Sequence, residues 1–159
     1  MTDHKTGVPV AVLGAGLIGA AVARNLARKG FEVRAWNRTA DKAQLLASDD
    51  VVPFDNPADA VRGAAIVVTV LKDGPAVMEV MMAALPGLHQ GTMWLQLSTV
   101  GIEAINSLAD FAAAHAMALY DSPVRGTRQP AEQGSGIPPS ESFKRDTNAS
   151  ASAKNAEAG

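Results

Sequence analysis

The sequence predicts an α/β fold: a doubly wound, mostly parallel sheet with helices on both faces, followed by a disordered tail. Three observations predict it. Residues 8–30, V-P-V-A-V-L-G-A-G-L-I-G-A-A-V-A-R-N-L-A-R-K-G, pass from a short β-prone run through a glycine turn into an alanine-rich helix. Residues 64–71, A-A-I-V-V-T-V-L, are nearly continuous and β-branched, as expected of a strand covered on both faces of a parallel sheet. Strand-like and helix-like segments alternate along most of the remaining chain, the order that builds βαβ units.

The first unit carries Gly14, Gly16 and Gly19 at G-x-G-x-x-G spacing. Gly14 permits a tight turn off the strand, Gly16 lets the backbone approach a pyrophosphate, and Gly19 lets the helix pack closely on the sheet. The phosphates of a dinucleotide would sit on free N–H groups at this helix N-terminus, where the helix dipole also favours negative charge.

Residues 31–36, F-E-V-R-A-W, alternate apolar and polar as a second strand and end in Asn37, Arg38 and Thr39. An acid closing this strand would accept hydrogen bonds from the ribose 2′-hydroxyl of NAD; an arginine accommodates a 2′-phosphate. Asn37 stands where the acid would be and Arg38 follows, so the expected cofactor is NADP, with Thr39 and Lys42 assisting and NAD possible.

A helix over 40–47 and a short strand over 51–54 come next. Asn56 and Pro57 read as the N-cap and first position of a small helix that Gly63 closes. After the strand within 64–71, the loop Lys72-Asp73-Gly74-Pro75 belongs on the ligand side, beyond a strand's carboxyl end, and Asp73 caps a helix over 75–84. Val77, Met78, Met81 and Met82 on that helix read as core filler. A strand over 93–98 delivers Ser98 and Thr99 to the same end, and Ile102, Ile105, Leu108, Ala109 and Ala112 mark the buried stripe of a further helix. A last strand over 117–120 reaches Asp121-Ser122-Pro123-Val124-Arg125-Gly126-Thr127.

At 159 residues the chain suits one folded domain, expected over 1–134. Residues 135–159 are rich in Ser, Pro, Ala, Asn and Gly and hold few sizeable apolar groups, so burial there would not offset the entropy of ordering them. A net charge of −2 gives no reason to expect nucleic acid or an anionic membrane as partner. With no cysteine, disulfides and thiolate chemistry are excluded; His4, His89 and His115 share no ligand spacing, and no metal is expected. Residues 6–23 are uncharged, but four glycines and Pro9 argue for strand, turn and helix rather than a membrane span or signal peptide, and a cytoplasmic protein is expected.

Several patches together resemble the N-terminal cofactor-binding domain of the β-hydroxyacid dehydrogenase family, which includes 3-hydroxyisobutyrate dehydrogenase and 6-phosphogluconate dehydrogenase. They are V-L-G-A-G-L-I-G-A-A-V-A-R-N-L, N-R-T-A-D-K-A (37–43), L-K-D-G-P-A-V (71–77), L-S-T-V (97–100) and D-S-P-V-R-G-T (121–127). The resemblance covers about 8–134 and implies a Rossmann domain with the pyrophosphate at Gly16, Leu17, Ile18 and Gly19. It implies the adenosine end by Asn37, Arg38 and Thr39, and the nicotinamide end near Leu71, Lys72 and Thr99. In the family the last patch usually reads D-A-P-V-S-G-G and helps hold the substrate carboxylate. Arg125 and Thr127 depart from it here, leaving Ser122, Arg125 and Gly126 as expected substrate contacts.

The family's catalytic lysine lies in a later G-x-x-G-x-G-x-x-x-K stretch that leads into a helical second domain. Lys144 and Lys154 are the lysines after Thr127 and neither sits in that motif, so no catalytic residue is assigned and the chain reads as truncated, as a frameshift or early stop would leave it. The oligomeric state is open because the family's dimerisation domain is absent. The resemblance implies an NADP-dependent oxidoreductase acting on a small hydroxyacid or aldehyde acid. A non-catalytic nucleotide-binding or partner-binding module and an imine reductase-like fragment are the alternatives.

Overall fold

The computed structural model describes residues 7–123; the expectations for the tail, Arg125 and Gly126 lie outside the described residues. Six strands form one sheet: β1 (Pro9–Leu13), β2 (Glu32–Trp36), β3 (Val51–Phe54), β4 (Ile66–Thr69), β5 (Met93–Gln96) and β6 (Ala118–Asp121). Every pairing is parallel, and the spatial order is β3-β2-β1-β4-β5-β6. The chain therefore winds outward in one direction from β1, then crosses back to β4 and winds in the other. A crevice opens where that reversal occurs, beyond the carboxyl ends of β1 and β4.

Five helices supply the crossovers: α1 (Leu17–Arg28), α2 (Ala40–Gln44), α3 (Pro57–Val61), α4 (Gly74–Ala84) and α5 (Ile102–Ala114). The alternation of side chains along a strand divides the core into two layers. On one face Ala11, Leu13, Val67 and Trp94 pack against Val61, Val77, Met81, Leu108 and Ala112 of α3, α4 and α5. On the other, Val10, Val12, Val33, Ala35, Val51 and Val68 pack against Val22 and Ala23 of α1 and Ala43 of α2. Alternate residues of β1 thus serve opposite layers, which is why its sequence is apolar throughout.

Local capping follows the sequence. The Asn56 side chain accepts a hydrogen bond from Ala58 N–H at 2.7 Å, and Asp73 accepts one from Ala76 N–H at 2.9 Å. Three expectations are corrected. The helix expected over 40–47 stops at Gln44 and tightens into a 3-10 turn, Leu45–Asp49. Met82 is 60% exposed, because its side of α4 faces away from the layer that Val77 and Met81 enter. In α5, Ile102 is 80% exposed and Ala109 is exposed too. Ile105, Leu108 and Ala112 of the expected stripe do pack on the core, and Phe111 joins them, meeting Trp94 edge to face at 6.2 Å.

Trp94 is the largest fully buried side chain, and its indole N–H donates to Thr69 Oγ1 at 3.0 Å. Trp94→Ala is expected to lower the unfolding free energy by about 3–5 kcal/mol, measured by urea denaturation. A loss below about 1 kcal/mol would show that this layer can collapse around the gap.

Candidate functional site

The crevice is organised by backbone contacts around the glycine turn. Gly14 has φ +113°, and its N–H donates to Trp36 O at 2.8 Å. A Cβ on Gly14 would stand 2.1 Å from Val70 O, and one on Gly19 would stand 1.8 Å from Gly14 O. The close approach assigned to Gly19 is thus to the turn's own carbonyl, with Val70 behind it. Gly16 differs: its φ of −72° suits any residue, and a Cβ there would meet nothing within 4 Å. Folding does not require glycine at 16, and the backbone there is bare toward the outside.

Gly16 is also the N-cap of α1, with no capping side chain and no acid in the first turn. The N–H groups of Leu17, Ile18 and Gly19 have no preceding helical carbonyl to reach. The same residues line a cavity of about 440 Å³, with Gly16, Leu17, Ile18 and Gly19 from the turn and Trp36, Asn37, Arg38 and Lys42 from the β2 side. Val70, Leu71, Lys72, Ala76 and Val80 complete it from the β4 side. The lining contains three cationic residues, Arg38, Lys42 and Lys72, and no carboxylate. Free N–H donors, a helix N-terminus and three cations around one crevice suit a polyanion, and the volume falls in the range of small-molecule sites. Bare backbone at Gly16 fits a pyrophosphate lying against it.

Most residues expected at the cofactor site therefore converge. Gly14 lies under the turn rather than on the lining, and Thr39 and Thr99 are exposed outside it. Asn37 does not point a free carbonyl at a ligand. Its Oδ1 accepts from Ala15 N–H at 2.8 Å and its Nδ2 donates to Thr39 O at 3.1 Å, tying the end of β2 to the glycine turn. The apolar wall of Trp36, Val70, Ala76 and Val80 was not anticipated; the i, i+4 spacing of Ala76 and Val80 beside a capped helix start was its available signal.

A second unanticipated feature lies under the neighbouring loops. Gln96 is fully buried. Its Nε2 donates to Ser98 O at 2.7 Å and Asp121 Oδ1 at 3.0 Å, while its Oε1 accepts from Ser98 N–H at 2.7 Å. Ser98 Oγ accepts from Leu71 N–H at 2.7 Å, and Ser122 N–H donates to Gln96 O at 2.9 Å. These bonds fasten together the segments leaving β4, β5 and β6, which fixes where Leu71, Lys72 and Ser122 stand. A lone glutamine in a strand gives little sequence signal for such a role.

The profile describing the NAD binding domain of 6-phosphogluconate dehydrogenase matches residues 9–144. Glyoxylate/succinic semialdehyde reductase 1 of Arabidopsis thaliana is 28% identical over 128 residues, 79% of this chain and 44% of that protein. Human cytokine-like nuclear factor N-PAC is 29% identical over 136 residues, 84% of this chain and 24% of that protein. Among solved structures, Mycobacterium tuberculosis 3-hydroxyisobutyrate dehydrogenase with L-serine superposes with a TM-score of 0.77 at 28% identity, covering 80% of this chain and 44% of that one. The chain spans less than half the length of each of these proteins.

The two glycines separate folding from ligand approach. Gly19→Ala is expected to destabilise by about 1–3 kcal/mol through the clash with Gly14 O. Gly16→Ala is expected to cost less than about 1 kcal/mol, since only N-cap preference changes. Thermal unfolding of both variants checks the order, and equal losses would contradict the open space at Gly16.

Proposed function

The chain belongs to the family of the NAD binding domain of 6-phosphogluconate dehydrogenase, and from that premise we propose that its crevice binds NADP(H) as the cofactor half of an oxidoreductase of β-hydroxyacid dehydrogenase type. The observation that carries the reading is the uncapped start of α1 beside bare Gly16, opening into a cavity with three cations and no carboxylate. The N–H groups of Leu17, Ile18 and Gly19 hold the pyrophosphate. Leu71 and the apolar wall of Val70, Ala76 and Val80 cover the flat parts of the dinucleotide, and Lys72 adds charge at the β4 side.

Preference for NADP over NAD follows from Asn37 and Arg38. An aspartate at 37 could bond Ala15 N–H and also accept a ribose hydroxyl, but its charge would repel a 2′-phosphate. The neutral amide keeps the bond to Ala15 without that charge, and Arg38 and Lys42 supply cations on the same side. Thr39 stands at the edge of this region, and Thr99 and Ser122 belong to the segments where the nicotinamide and a substrate would meet.

When bound, NADP(H) supplies the hydride, exchanged with a small hydroxyacid or aldehyde acid. That substrate class is supported by the names of two relatives, a glyoxylate/succinic semialdehyde reductase and a 3-hydroxyisobutyrate dehydrogenase. No catalytic residue is assigned, and Arg125 and Gly126 remain proposed contacts for the substrate carboxylate. No described helix is long and apolar enough to cross a membrane, and a cytoplasmic location is part of the proposal. The likeness to N-PAC, a nuclear factor by name, favours one second reading: a nucleotide-holding module that serves a partner. Tight NADPH binding without turnover of any hydroxyacid or aldehyde acid would select it.

Fluorescence titration with NADPH and NADH tests the assignment. Arg38→Ala is expected to weaken NADPH about tenfold, a charge-assisted hydrogen bond's worth at an exposed site, and NADH less than about twofold. Equal weakening of both, or of neither, would overturn the NADP preference. Gly16→Ala is expected to weaken both cofactors together.

A further inference from the structure

Arg38 already has a partner. Its Nη2 donates to Glu79 Oε2 at 2.9 Å, joining the loop after β2 to α4. Both side chains are largely solvated, at 62% and 69% exposure. Glu79 lies beside Val80 and one turn beyond Ala76, both of which line the cavity, so its carboxylate stands at the rim. The other ion pairs among the described residues join Arg24 to Asp49, Arg34 to Glu32 and Arg62 to Asp59, and none of those arginines lines this cavity. Arg38–Glu79 is the described pair that bridges the adenosine side of the crevice.

We propose that Glu79 is a specificity-determining residue, whose carboxylate competes with the 2′-phosphate of NADP for the Arg38 guanidinium and so limits the preference for NADP over NAD. The inference rests on the dinucleotide reading above. An exposed ion pair is weak, so a phosphate offering more charge and more acceptor oxygens displaces Glu79. Displacement breaks the ion pair, and that loss is subtracted from what the guanidinium gains on the phosphate. A ribose hydroxyl calls on neither the guanidinium nor its release, so NADH does not meet this cost.

Glu79→Gln removes the charge and keeps the shape. It is expected to tighten NADPH about fivefold and change NADH less than about twofold, with the gain shrinking at about 1 M salt, where the screening length is about 3 Å. In an Arg38→Ala background the same substitution is expected to give less than about a twofold gain, because no guanidinium is left to release. An undiminished gain without Arg38, an equal gain for NADH, or no gain at all would overturn the proposal. Thermal unfolding of each variant confirms that the exposed substitutions leave the fold intact. A parent chain that takes up neither cofactor would defeat the dinucleotide reading as well; a parent that binds NADPH while Glu79→Gln gains nothing would defeat this inference alone.

Discussion

The contact on which the rest depends is between backbone and backbone, where the chain turns from β1 into α1. Gly19 rests on the carbonyl of Gly14, and Gly14 rests on the carbonyl of Val70, with no room for a Cβ at either place. This brings the start of α1 down to the reversal point between β1 and β4. The turn is also bonded to the end of β2 through Gly14 to Trp36 and Ala15 to Asn37. Three strand ends are thereby fixed around one helix N-terminus. α3 and α4 have Asn56 and Asp73 to satisfy their first turns, whereas α1, like α2 and α5, has no capping side chain, and the first turn of α1 lies at the crevice.

Electrostatics and packing then divide the crevice. The β2 side carries Arg38 and Lys42, with Glu79 reaching over from α4, so charge is concentrated at that end of the crevice. The β4 side is mostly apolar and is held by the buried amide of Gln96, which reaches Ser98 and Asp121 and, through Ser98, the backbone of Leu71. A neutral side chain with donors and an acceptor can fasten three segments at once without burying a charge. Among the described residues no buried side-chain polar atom lacks a partner, so the support beneath these loops is complete.

What was legible in the sequence was whatever periodicity and backbone chemistry write locally. The six strands, the glycine turn and the caps at Asn56 and Asp73 all come from short-range rules. Helix faces were less legible. Ile102 was expected in the core and is exposed, while Phe111, outside the expected stripe, meets Trp94, because the contact depends on where α5 lies across the sheet. At the site, Arg38 was identified by position, but its engagement with Glu79 joins residues 41 apart in sequence and no local pattern encodes it. Asn37 was found for its missing charge; its bond to Ala15 emerges only when β1 and β2 lie side by side.

Amide chemical shifts read directly whether the first turn of α1 holds a pyrophosphate. On titrating the 15N-labelled chain with NADP+, the largest perturbations are expected at Gly16, Leu17, Ile18 and Gly19, with smaller ones at Arg38, Leu71 and Lys72 across the same cavity. Perturbations scattered over the surface, or concentrated away from the glycine turn while its amides stay unmoved, would rule out pyrophosphate binding at that turn.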